Sequence, residues 1–372
     1  MSHRIYLDLA ASSPTLPEAI AAMTRTIGLP GNPSSLHTAG RGARRLLEEA
    51  RESLAADLGA EPSEVVFTSG GTEANNLALL GTVTEERPQV AISTIEHPSV
   101  AAAGPRVDLM NLPVHGTGHL DLDAAAGLVG RGTALVSVMW VNNETGAVQP
   151  IPGMVALAHA AGALAHSDGV QAFGHLPLTF GDSGLDLLSV SAHKLGGPVG
   201  IGALVVRRGV RLAPSGFGGG QEARLRSGTV PVALAAGFAA ASRVAIERRA
   251  EEATRLAALR ERLIAGVQEG VPAVVTNTVE PCGPAIVNLT FTGTRADDVL
   301  LLLDAAGIDA STGSACTAGV HQPSEVLLAM GRTAAAAASS LRFSFGPDTT
   351  ADAIEQVLAV LPGIVEVARR AG

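Results

Sequence analysis

Between about Glu64 and Val206 the chain repeats one pattern: a short continuous apolar run, then a stretch with apolar residues at helical spacing. Residues 65–67 lead into a helix from Thr72, residues 90–92 and 134–139 read as further strands, and a helix over 154–161 precedes a strand over 164–166. Runs over 185–190 and 201–206 close the series. Unbroken apolar runs are the signature of strands covered on both faces. Strand and helix in alternation therefore predict βαβ units and a mostly parallel sheet, with ligands at the carboxyl ends of its strands. After residues 226–229 the pattern changes to long Ala/Leu/Arg/Glu helices over about 232–268, which read as a connector. Strands near 285–291 and 341–345 and helices near 296–306 and 351–370 then predict a smaller α+β unit.

A chain of 372 residues exceeds one ordinary core, so two domains are expected. Hydrophobic residues make up 47% and charged residues 16%, a globular composition. A net charge of −9, with Lys and Arg never clustered beyond pairs, argues against direct nucleic-acid binding or an anionic membrane surface. The first residues lack a signal-peptide apolar core, and the greasiest stretches, 232–241 and 334–338, fall short of a membrane span of about 20 residues. A cytoplasmic protein is expected, with small molecules or proteins as partners. Cys282 and Cys316 are too few for a disulfide framework or a cysteine-based zinc site.

Of 26 Lys and Arg residues one is a lysine, Lys194. Replacement of surface lysines by arginine explains the scarcity, but not a survivor placed between an apolar strand and the glycine-rich 196–197 turn. A desolvated amine forms a Schiff base with an aldehyde, which a guanidinium cannot. Residues 68–76, Thr-Ser-Gly-Gly-Thr-Glu-Ala-Asn-Asn, join a strand to a helix start and suit a monophosphate, with simple capping by Thr72 the plainer alternative. The turn lacks the Walker Gly-Lys and the dinucleotide spacing. His97 and Asp168 follow strands at carboxyl ends; a carboxylate there calls for a cationic or N–H partner, such as a pyridinium nitrogen, or caps a helix. Arg342 alternates with Leu341 and Phe343, so its fork either grips a carboxylate or lies solvated on an edge strand. Cys316 sits among small residues over 311–320, as a reactive loop thiol would, whereas Cys282 reads as incidental.

Together these motifs resemble pyridoxal-phosphate enzymes of the class V aminotransferase superfamily, specifically cysteine desulfurases of the nitrogen-fixation and iron–sulfur-cluster type. The resemblance runs nearly end to end: Tyr6-Leu7-Asp8 with Ala10-Ala11, 31–37, 68–76, Glu96-His97, 142–146 with Gln149-Pro150, 166–171, 191–194, 218–229, 313–316 and 342–344. It implies the α/β fold type I of pyridoxal-phosphate-dependent transferases, with a large cofactor domain over 15–255. The small domain, residues 1–14 and 256–372, would carry the Cys316 loop. It implies pyridoxal 5'-phosphate attached to Lys194, which later moves the Cα proton. His97 would stack on the ring and assist proton transfer, Asp168 pair with the ring nitrogen, and Gln171 meet the ring hydroxyl. Gly71, Thr72, Ser191 and His193 would hold the phosphate, with Thr229 reaching in from the other subunit of a homodimer. Asn143 and Arg342 would bind the substrate carboxylate, Asn143 also lying against the cofactor. Cys316 would take sulfur from L-cysteine as a persulfide, release L-alanine and pass the sulfur to an acceptor protein. Iron–sulfur scaffolds, tRNA-thiolation proteins and other sulfur-modification proteins are all eligible acceptors. No resident metal is implied, any metal contact being that of Cys316 with an acceptor's iron–sulfur cluster. A selenocysteine lyase, another class V lyase or transaminase, and a non-catalytic scaffold stay open as alternatives.

Overall fold

The computed structural model describes residues 4–313 and 322–371. Its first part runs β1 (Ile5–Tyr6), α1 (Pro17–Ile27), α2 (Thr38–Leu58), β2 (Val65–Thr68), α3 (Gly71–Thr82), β3 (Gln89–Ser93), α4 (Pro98–Ala101) and β4 (Asp108–Leu112). There follow α5 (Leu122–Ala126), β5 (Thr133–Ser137), α6 (Ile151–Ala160), β6 (Leu164–Asp168), α7 (Phe180–Ser183), β7 (Leu187–Ser191) and β8 (Gly202–Val206). The remainder comprises α8 (Val232–Gly270), β9 (Val274–Thr276), β10 (Ile286–Phe291), α9 (Ala296–Ala305), β11 (Ile308–Asp309), α10 (Glu325–Ala329), α11 (Ala334–Ala337), β12 (Ser340–Ser344) and α12 (Ala351–Ala371).

Seven strands form the main sheet in the order β2-β8-β7-β6-β5-β3-β4. Every neighbour pair is parallel except the two made by β8, which runs antiparallel to β2 and β7. Strands β2, β5, β7 and β8 are buried along their whole length, which is why they read as unbroken apolar runs. The crossovers put α3 and its loops at the carboxyl ends of β2, β3, β6 and β7, so residues far apart in sequence converge on one rim.

The apolar core falls into separate clusters. One joins α1, α2 and the sheet to the start of α8 through Phe67, Phe173, Phe180 and Phe238. Another joins Leu7, the second half of α8, β10, β12 and α12 through Phe291, Phe343 and Phe345. The 39-residue α8 is a single helix that contributes Ala235 to Ala241 to the first and Leu256 to Val267 to the second. β12 is the edge of a three-stranded sheet, β12-β10-β9. Arg342 on it is nevertheless 2% exposed, because single bridges from Asp8 and Ser311 cover that edge. The solvated edge-strand alternative is therefore excluded.

Two helices, α1 and α2, precede the alternation that the pattern predicts, and a further parallel strand, β4, lies outside β3. β4 is half-exposed and interrupted by the polar residues Asp108 and Asn111 in Asp108-Leu-Met-Asn-Leu112, so its apolar run is not continuous.

Candidate active site

α3 begins at Gly71 with Gly70 as its cap residue and no side-chain cap, so the first-turn N–H groups stay available. Thr72, which the sequence allowed as a cap, lies inside the first turn and is exposed. A Cβ on Gly71 would stand 2.7 Å from Val170 Cγ2, and 3.7 Å from the Cβ of Ser191 at the end of β7. Ser191 Oγ meets His193 Nδ1 at 2.8 Å. Burial, then the nearby Lys194 and His97, depress His193 to about 4, so its imidazole is neutral at pH 7.

Asp168 ends β6 and is 5% exposed. Its Oδ1 accepts from Val170 N–H at 2.9 Å and its Oδ2 from Asn75 Nδ2 at 2.6 Å. The carboxylate thus holds the following turn with one oxygen and faces the site with the other. Asn75, 1% exposed on α3, also donates to Ser99 Oγ at 2.8 Å. Ser99 in turn meets His97 Nδ1, its Oγ at 2.8 Å and its N–H donating at 3.1 Å. Nδ1 is therefore an acceptor, which assigns the proton of the neutral ring to Nε2. Burial lowers the His97 pKa, with Asp168 opposing and Lys194 reinforcing the shift.

Lys194 closes the short 3-10 turn after β7, and its Nζ donates to the carbonyls of Ala10 at 2.5 Å and Ala11 at 2.8 Å. Gln171 Nε2 donates to the same Ala10 carbonyl at 2.8 Å. Ser13 completes a strap over the site, its N–H bonding the His193 carbonyl and its Oγ the Lys194 carbonyl. At the far side, Arg342 Nη1 donates to the Asn143 carbonyl at 2.8 Å and Nη2 pairs with Asp8 Oδ1 at 2.6 Å. Asn142 braces the loop that carries Asn143, its Oδ1 accepting from the N–H groups of Glu144 and Thr145 and its Nδ2 reaching the Ile95 carbonyl.

The structure thus gathers Gly71, Ser191, His193, Lys194, His97, Asp168 and Gln171 at one rim, with Thr72 at its edge, and sets Asn143 and Arg342 beside it. Thr229 is exposed and makes no side-chain hydrogen bond among the described residues. Cys316 lies outside the described residues. Cys282 is half-buried against Arg260 Nη1 at 2.7 Å, and burial pushes its thiol up to about 12, so it is a protonated thiol at neutral pH.

Asn75 and Glu96 belong to this site and have no role in the sequence reading. Glu96 Oε1 takes the Ser93 hydroxyl and, at 2.8 Å, the Met139 N–H, while its Oε2 is buried without a partner. Burial raises Glu96 to about 8, with Asp168 adding to the shift. Glu96 accordingly adds no second negative charge beside Asp168 at pH 7. Its place next to His97 in the chain was the available signal.

These residues fit pyridoxal phosphate. A buried carboxylate with two neutral donors and no ion pair among the described residues is short of a cation, which a pyridinium nitrogen supplies. An uncapped 12-residue helix with Ser191 and His193 beside it suits a phosphate, and the one lysine of the chain lies at the same rim.

Comparison with known proteins gives the family. The aminotransferase class-V family model matches residues 5–357. The IscS-like cysteine desulfurase of Mycobacterium tuberculosis is 47% identical, the match covering 98% of this chain and 97% of that protein. Among solved structures, a NifS-like protein superimposes with a TM-score of 0.91 at 30% identity, covering 98% of this chain and all of that one. SspA in complex with cysteine gives 0.81 at 33% identity, over 93% of this chain and all of that one. The chain belongs to the aminotransferase class-V family, within its cysteine desulfurases of the IscS and NifS type.

Proposed function

We propose that this chain uses pyridoxal phosphate to take sulfur from L-cysteine, leaving L-alanine and a persulfide on Cys316. The carrying observation is the convergence of the only lysine with His97, Asp168 and the uncapped start of α3, in a chain matched end to end by cysteine desulfurases. When bound, the cofactor supplies an electron sink that weakens the Cβ–S bond of the substrate.

The residues divide the remaining work. Lys194 Nζ, shielded by the Ala10–Ala11 strap, attaches the cofactor and then moves the Cα proton. Asp168, braced by Asn75, would keep the pyridine nitrogen protonated, and His97, with its proton on Nε2, would stack on the ring. Gln171 meets the ring hydroxyl. Gly71, Thr72, Ser191 and the neutral His193 would hold the phosphate, with Thr229 contributed by the other subunit of a homodimer. Arg342 and Asn143 hold the substrate carboxylate. The Cys316 thiolate attacks the substrate sulfur; the S–S bond forms as the Cβ–S bond breaks, and a proton returned to carbon completes alanine. The persulfide then passes to an acceptor protein in the cytoplasm, an iron–sulfur scaffold or another sulfur-modification protein. The division into a large unit over 15–255 and a small one over 1–14 and 256–372 belongs to the same proposal.

Replacing Cys316 by Ser tests the reaction. Alanine release from L-cysteine is expected to fall by about two orders of magnitude or more with the cofactor still bound. Unabated release overturns the persulfide step and favours a lyase. Borohydride reduction of the loaded protein is expected to label Lys194 alone, and a stoichiometric label elsewhere overturns the attachment site.

A further inference from the structure

Asp8 has no part in the function proposed above, yet it holds the arginine assigned to the substrate carboxylate. The Asp8–Arg342 pair is 2.6 Å long, with the arginine side chain 3% and the aspartate 22% exposed. A guanidinium has five N–H groups. Here one terminal nitrogen is tied to Asp8 and the other to the Asn143 carbonyl, which fixes the plane of the fork at two corners. Nε is buried and has no partner. The fork is thus anchored but not exhausted: Nε–H and a second hydrogen on each terminal nitrogen remain.

Asp8 is itself fixed with respect to Arg342. It pairs with Ser344 in a parallel bridge, two residues along the strand that carries the arginine, and its carbonyl accepts from Tyr6 Oη at 3.1 Å. Leu7 on the preceding position is fully buried and accepts from the Ser344 N–H. The aspartate is therefore built into the sheet edge, unlike a surface ion pair that forms and breaks. A buried guanidinium without its counter-charge is strongly destabilised and turns toward any carbonyl or water it can reach.

We infer that Asp8 is a positioning residue for substrate recognition: it neutralises and orients Arg342 so that the donors left over face an α-carboxylate, and thereby sets the preference for amino acids over simple amines. The inference rests on the assignment of Arg342 as the carboxylate site. A carboxylate that merely stood in for the substrate would be displaced on binding, whereas donors left over on the fork let Asp8 stay.

The test compares L-alanine with ethylamine, the same skeleton without the carboxylate, by titrating the absorbance of the pyridoxal-phosphate-loaded enzyme. Asp8→Asn keeps an oxygen acceptor and removes the charge. It is expected to raise the alanine Kd and the KM for L-cysteine about tenfold, with kcat and the ethylamine Kd changed less than about twofold. Equal weakening of both ligands would show a merely structural role, and tighter alanine binding would show that Asp8 competes with substrate. Either result, or no change in either ligand, overturns the inference. Should Asp8→Asn not fold, Asp8→Glu retains the charge, moves it by one methylene and must still weaken alanine selectively. Arg342→Gln is the control. If it discriminates between the two ligands while the Asp8 variants do not, only the role of Asp8 fails; if it does not discriminate, the carboxylate assignment fails and the inference falls with it.

Discussion

Glu96 sits beside His97 in the chain and is fully enclosed, one carboxyl oxygen taking two donors and the other none. Burial raises it from 4.5 to about 8, so between those values the folded chain keeps a proton that the unfolded chain has lost. Its contribution to stability is complete below about pH 4.5 and disappears as pH rises toward 8. His166 has the opposite sign. Enclosed between the Ser137 and Ser189 hydroxyls, it is lowered by burial to about 3, so the unfolded chain binds its proton first as pH falls below 6.5. Stability associated with His166, and with His193 at about 4, is therefore complete above pH 6.5 and lost toward pH 3. The acid limb belongs to buried histidines and the alkaline limb to Glu96 together with Glu144, which burial also raises. Glu96→Gln should leave apoprotein stability within about 1 kcal/mol at pH 5 and raise it by about 2 kcal/mol or more at pH 8.5. Urea unfolding at the two pH values measures this, and parallel curves for both proteins would remove Glu96 from the alkaline limb.

Gly202 opens β8 in the tightest corner of the site. A Cβ there would stand 2.6 Å from the Val190 carbonyl and 2.8 Å from Gly70 Cα, so the strand and the turn before α3 meet backbone to backbone. Gly202→Ala must push β8 or the turn away. The expected outcome is a stability loss of about 1–3 kcal/mol and a selective loss of pyridoxal-phosphate affinity, since the displaced turn carries Gly71. Thermal melts with and without cofactor measure both, and a variant that melts lower yet binds cofactor as before would separate the strand from the turn. Elements of this kind differ in how openly the sequence announces them. β2, β5 and β7 are legible because burial on both faces demands unbroken apolar residues, and the rim residues follow from their carboxyl ends. The antiparallel direction of β8 is not legible, because its apolar run is the same in either direction. α2 buries Ala43, Leu47, Ala50, Leu54 and Leu58 at helical spacing, but the alanines and seven charged residues among them dilute the contrast that marks a helix. Glu96 and Asn75 illustrate another limit: a buried polar side chain looks like a solvated one until its neighbours are known.

At the scale of the molecule, the two cores are separate but joined at several places. A cavity of about 580 Å³ lies between them, walled by Leu16 and Ala245 on one side and by Leu256, Ile286 and Phe345 on the other. Direct contacts join the units beside it: the Val148 N–H donates to the Pro281 carbonyl, the Gly283 N–H to the Gly146 carbonyl and Arg342 to the Asn143 carbonyl. Two stretches of chain also span the gap. One is α8, whose stretch between the cores, residues 243–255, is mostly exposed or half-buried. The other is the amino-terminal strap. It starts in the small core, where β1 pairs with β11, Leu7 is fully buried and the Ala10 N–H donates to Ser344 Oγ. It ends on the large one, where the N–H groups of Ser13 and Leu16 donate to the carbonyls of His193 and Gly196. Between these points it carries Asp8 to Arg342 and the Ala10 and Ala11 carbonyls to Lys194. The segment that joins the cores thus also closes the site, so substrate geometry depends on the cores moving as one. Calorimetry of the full chain should give one transition, with van't Hoff and measured enthalpies in agreement. Removing residues 2–13 should split it into two, the small core melting first because it also loses Leu7, a deletion worth about 2–5 kcal/mol. Leu7→Ala alone is the matched comparison: it weakens the same core but leaves the strap, and should lower the single transition without dividing it. A truncated chain that still melts in one step would show that α8 and the direct contacts between the units couple the cores without the strap, which would then serve the site alone.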